Sequence, residues 1–187
     1  MPAAGSNLKT PLRLSGLLLT TLLMTVPLQA QEAAKPAAPT AGNVANGSNA
    51  VTQAAVQQGA LNCAARINQV TNFLGFSSQA GAMLMMPASQ PDQRLLPLAM
   101  EVPTASGSAY VSATFAPNQA NGCGAAYDAV VFWPQKCEAV AAKQFANLKR
   151  IGQLKTSITV LDGGVTTKVF LMPAGSGCVS IKKEVVL

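Results

Sequence analysis

GCGAAYDAVVFWPQKCEAVAAKQFANLKR, Gly122 to Arg150, is the stretch on which the fold turns. Its first part, AAYDAVVFW, is rich in β-branched and aromatic residues and follows the turn-forming run PNQANGCG, so it predicts a strand. Pro134 ends that strand and suits the first turn of a helix running through QKCEAVAAKQFANLKR. Glu138 falls in the first turn of that helix, and Lys149 and Arg150 fall near its C-terminus, where they complement the helix dipole. A strand therefore hands over almost directly to a helix.

Upstream, AYVSATFAP alternates Tyr110, Ser112 and Thr114 with Val111, Ala113 and Phe115. Before it, LPLAMEVP alternates Leu98, Met100 and Val102 with Ala99 and Glu101. Both read as strands with two unlike faces. Further back, LNCAARINQVTNFLG places Cys63, Ile67, Val70 and Leu74 on one side of a helix that Gly75 stops. Downstream, TSITVL and VTTKVFLM flank Asp162-Gly163-Gly164 as a hairpin, and Pro-Ala-Gly-Ser-Gly leads into CVSIKKEVVL. The expected fold is α+β: a single domain over residues 61–187, antiparallel strands with two helices on one side, in the order α-βββ-α-βββ.

The two halves carry marks of an internal duplication. Each helix has a cysteine near its start, Cys63 and Cys137, with Leu74 and Leu148 equally far beyond. Each third strand opens Gly-Cys, at Cys123 and Cys178, and reaches a Val-Val pair seven residues later. Phe115 with Pro117, and Phe170 with Pro173, close the second strands.

Four cysteines in an exported chain predict two disulfides. A duplication favours Cys63–Cys123 and Cys137–Cys178; the second choice is Cys63–Cys137 with Cys123–Cys178. Joining Cys123 to Cys137 is disfavoured, because the strand between them would span nearly 30 Å at about 3.3 Å per residue.

The N-terminus points to export. Lys9 and Arg13 precede the uncharged LSGLLLTTLLMTVPL, and Leu28-Gln29-Ala30 follows, so residues 1–30 read as a signal peptide cleaved after Ala30. The apolar core is shorter than the roughly twenty residues of a membrane span. Without Lys9 and Arg13, the thirteen basic residues fall to eleven against seven acidic, a net charge near +4 instead of +6. That is too mild and too dispersed for a nucleic-acid binder. Residues 31–60, rich in Ala, Pro, Gly and Asn, read as a disordered linker. The alternative is that Val51 to Ala60 extends the first helix, against which Gly59 argues.

Chemistry is sparsely signalled. There is no histidine, and Asp92, Glu101, Asp128, Glu138, Asp162 and Glu184 are scattered. No Cys-x-x-Cys, Ser-x-x-Lys, Gly-x-Ser-x-Gly or phosphate-binding glycine loop occurs. The expectation is no enzyme, no metal and no cofactor. Met83, Met85, Met86 and Met100 suggest an apolar groove rather than soft Cu(I) ligands. Lys143, Lys149, Arg150 and Lys155 suggest a basic face, for which a solvated surface is the ordinary explanation. The expected function is that of a non-enzymatic periplasmic or secreted protein that binds a protein or envelope component and meets the membrane only through its leader. The alternative is a carrier or sensor of a small apolar ligand in the Met-lined groove.

Overall fold

The computed structural model describes residues 47–186. Helix α2, Ala64–Phe73, forms where the apolar spacing predicts it, with Cys63 as its N-cap and Gly75 in the left-handed region at φ 84° just beyond its end. It buries Ala64, Ile67, Val70 and Thr71, and full burial of an Ile or Val side chain contributes about 2 kcal/mol. A second helix, α3 at Cys137–Gln144, buries Cys137 and Val140.

The strands are β1 (Gly81–Leu84), β2 (Leu96–Thr104), β3 (Gly107–Asn118), β4 (Gly122–Trp133), β5 (Lys149–Leu154), β6 (Ile158–Asp162), β7 (Thr167–Ala174) and β8 (Gly177–Val186). They make one antiparallel sheet in the order β1-β2-β3-β4-β8-β7-β6-β5. The order is a palindrome about the central β4–β8 pair: each half is a helix followed by a four-strand meander, and the two last strands meet. Period-2 alternation sends Leu96, Leu98, Met100, Val111, Ala113, Phe115 and Tyr127 to the helix side. Leu161, Val169 and Leu171 do the same in the second half, under α3.

The register repeats as well as the order. Pro117 pairs with Cys123 in β3–β4, and Pro173 pairs with Cys178 in β7–β8. The β3–β4 turn is a residue longer than the β7–β8 turn, which shifts β7 by one position. Phe170 is therefore not the counterpart of Phe115. Leu171 holds the buried place, and Phe170 points to the opposite face of the sheet.

Each helix is tied to the last strand of its own half, Cys63 to Cys123 and Cys137 to Cys178, with Cα atoms 5.0 Å apart in both bridges. That is the pairing first expected, and no cysteine is free.

Three expectations need correction. First, the described part of the expected linker, 47–60, is folded: Ala50–Gln57 is a helix, α1, that buries Val51, Thr52 and Ala55. Large apolar residues are missing because α1 packs closely on α2 through small side chains and a polar seam. Asn49 caps α1 by accepting from the Thr52 N–H at 3.1 Å, and its amide donates to Thr71 Oγ1 at 2.6 Å and Asn72 Oδ1 at 2.7 Å. The element is a separate helix and not an extension of α2, since Gly59 turns at φ 87° between them. Second, the helix expected through Arg150 stops at Gln144, so Lys149 and Arg150 lie on β5 and have no helix dipole to complement. Third, the Met-rich passage contributes β1. The described elements therefore run α-α-ββββ-α-ββββ, with three helices instead of two, in a fold that remains α+β. The signal peptide and linker residues 31–46 lie outside the described residues.

Candidate functional site

Met100 is buried in the core and Met86 packs against it, whereas Met83 and Met85 are exposed. The four methionines do not form one groove. Lys143, Lys149, Arg150 and Lys155 are all exposed and gather around the end of α3 and strand β5, at one edge of the sheet. A shift in register between Arg150 and Gly152 divides them. Arg150 pairs in register with the inward Leu161 and lines the helix side, while Lys149 pairs with Asp162.

Three surfaces stand out. The first is a groove of about 400 Å³ beneath α3, which the sequence did not signal. Cys137, Glu138, Ala141 and Ala142 of α3, with Phe145 and Ala146 just past its end, form one wall; Leu148, Arg150, Thr159, Leu161 and Leu171 form the rest. The lining is largely apolar, with Glu138 and Arg150 as its charges.

The second lies at the sheet centre, on the helix side. Lys182 Nζ sits 2.6 Å from Glu184 Oε2 and 2.9 Å from Tyr127 Oη, and the Tyr127 hydroxyl donates to Glu184 Oε2 at 2.7 Å. The ammonium also stands 5.3 Å from the Phe73 ring centre. Beside them Trp133 Nε1 donates to Ser180 Oγ at 2.8 Å. Burial pushes the Tyr127 phenol up, against the pull of Lys182. Burial would lower Lys182, but its bonds to Glu184 and Tyr127 overcome this and raise it. Burial would raise Glu184, but Lys182 and Tyr127 hold it below the ordinary carboxylate value. Each group is driven toward its resting form, the reverse of an activated base or nucleophile.

The third is the face of the sheet away from the helices. There β4, β7 and β8 carry Val130, Phe132, Phe170, Met172, Val179, Ile181 and Val185, with Tyr110 on β3. Phe132 and Tyr110 are each 53% exposed and Val185 44%. No described element covers this face. Gly177 is required beneath it: a Cβ there would meet the Phe132 ring at 2.7 Å and the Trp133 carbonyl at 2.6 Å.

No group of three or more Cys, Asp or Glu among the described residues is arranged to hold a metal ion. No described helix is long and apolar enough to cross a membrane. The chain matches no family model, no curated protein and no solved structure.

Proposed function

We propose that this is a non-enzymatic protein, exported to the periplasm or the extracellular medium, that acts by binding a protein or envelope component. The uncovered apolar face carries this reading. Monomeric soluble proteins seldom leave a contiguous apolar patch of this kind open, and such patches mark interaction surfaces. The leader and the two disulfides favour an oxidising compartment. The self-satisfied Tyr127–Lys182–Glu184 group and the absence of histidine speak for binding over catalysis. No cofactor enters the proposal, nor does nucleic acid, and the membrane is met only through the leader. An internal duplication accounts for the palindromic sheet, the repeated Pro–Cys register and the paired disulfides.

A photo-crosslinking residue in place of Phe132, in the exporting cell, tests the proposal against one at the exposed Gln58. A defined envelope partner at position 132 and none at 58 is the expected result; equal labelling, or none, defeats it. A small apolar ligand is the second reading, favoured by the groove beneath α3, whose volume falls in the range of small-molecule pockets. Native mass spectrometry of exported material would then show retained ligand mass.

A further inference from the structure

The groove beneath α3 lies where the first half of the molecule places α1. Taking Cys63 and Cys137 as equivalent, the α2 residues that hold α1 have counterparts on α3 and just beyond its end. Asn68 accepts from the Asn49 backbone N–H at 3.1 Å, Thr71 accepts from the Asn49 side chain, and Asn72 does likewise. The same distances from Cys137 lead to Ala142, Phe145 and Ala146, and all three line the groove. The sheet agrees. Leu96 pairs with Phe115 in the core that α1 helps to close, and Thr159 pairs with Leu171 in the groove floor. Only Pro134, Gln135 and Lys136 separate β4 from α3, too few residues to supply a helix there. The vacancy follows from the chain's own connectivity.

We propose that this groove docks a short amphipathic helix of a partner protein, apolar on its buried side and acidic at the end that meets Arg150. α1 is the internal template for the occupant's shape. The chemistry differs, because Ala142, Phe145 and Ala146 replace Asn68, Thr71 and Asn72. The occupant is therefore anchored by apolar side chains at helical spacing and not by an Asn cap. The charge follows from the lining: Arg150, on β5 just past the C-terminal end of α3, is exposed and makes no ion pair among the described residues, while Glu138, the other charge, stands in the first turn of α3. A helix from a second copy is disfavoured, since lending α1 would open the core it came from. The proposal rests on the binding reading above and names the partner's form.

The test uses the full chain and a hydrocarbon-stapled peptide, because a free helix this short is marginal in water. The peptide carries Leu at i, i+4 and i+7 and Glu in its first turn, the end that α1 presents to the counterparts of Ala142, Phe145 and Ala146. A control has the same residues with the leucines off one face. Saturable one-to-one binding of the patterned peptide alone is expected by fluorescence anisotropy. Ala142→Trp, which fills the groove, should weaken it about tenfold or more. Arg150→Glu should weaken it about fivefold, and a peptide with Lys for Glu should recover that loss. Should Ala142→Trp fail to melt cooperatively, the Arg150 charge exchange decides alone. Equal binding of both peptides, or indifference to these changes, overturns the proposal. So does a small molecule retained in native mass spectra and lost on filling the groove. Crosslinking at position 132 with no peptide binding overturns the helix and leaves the binding reading standing; failure of both overturns both.

Discussion

Asp128 and Lys183 hold equivalent places in the two halves, each five residues beyond the cysteine of its strand, and they face each other in register at the centre of the sheet. Lys183 Nζ lies 2.8 Å from Asp128 Oδ1 and 2.9 Å from Oδ2. Had the two positions stayed alike, the centre would place like charges directly opposite, which destabilises a sheet. Opposite signs allow β4 to pair with β8 and disfavour β4–β4 or β8–β8 pairing between two molecules.

Asp128→Lys should lower stability by about 1 kcal/mol, since both side chains are partly solvated. Adding Lys183→Asp should restore most of the loss. A double-mutant cycle by urea denaturation reads the coupling, and strictly additive effects would show that the pair sets nothing.

Replacing Cys63 and Cys123 with Ala, or Cys137 and Cys178, should cost about 4 kcal/mol in either case in the chain-entropy model. The loops close over 60 and 41 residues, a difference worth less than about 0.5 kcal/mol. Thermal melts of the two double variants check both the size and the near equality. Non-reducing proteolysis with mass spectrometry checks the pairing itself.

Asn49→Ala should cost about 1–2 kcal/mol, the upper part of the range for an N-cap, because the same side chain bridges to Thr71 and Asn72. A chain beginning at Leu61 should lose far more, since Ile67 and Val70 would lose the cover of Val51 and Ala55. A melt unchanged by that truncation would mean that α1 is an accessory.

The central cluster makes stability fall at both ends of the pH scale. Glu184 has its folded pKa below the unfolded one, so its contribution is present above about pH 4.5 and lost as pH falls through the folded value. Tyr127 and Lys182 have folded pKa values above the unfolded ones, so theirs is complete below about pH 10 and lost as pH rises through the folded values. Denaturation midpoints across pH should show both limbs. Lys182→Met, which removes the cation that holds Glu184 low, should flatten the acid limb; an unchanged acid limb would place its origin elsewhere.

Much of the fold was legible where one face differs sharply from the other. Val111, Ala113 and Phe115 against Tyr110, Ser112 and Thr114 declare a strand, and Cys63, Ile67 and Val70 declare a helix. The repeated cysteine spacing carried the bridges. α1 escaped because Val51, Thr52 and Ala55 bury a face without bulk, and its polar residues bond to α2 instead of to water. β5 escaped because all six of its residues are exposed at a sheet edge, so KRIGQL shows neither alternation nor an apolar face, and the helix before it read straight through. The groove beneath α3 could not be read at all. It is defined by an element present in one half and missing from the other, and only the strand register shows which residues correspond.

Neither disulfide crosses from one half to the other. Each closes a covalent ring within its own half; residues 124–136 join the rings, most of them strand β4, with Pro134–Lys136 as the short connection between the halves. The β4–β8 ladder is the strand seam between the halves, and no disulfide spans it. Two copies opened there and brought together at high concentration can each take the other's partner half, restoring every strand pairing and the same Asp128–Lys183 contacts. Oxidised protein has this route to an interlocked dimer, and reduction is not needed to enter or leave it.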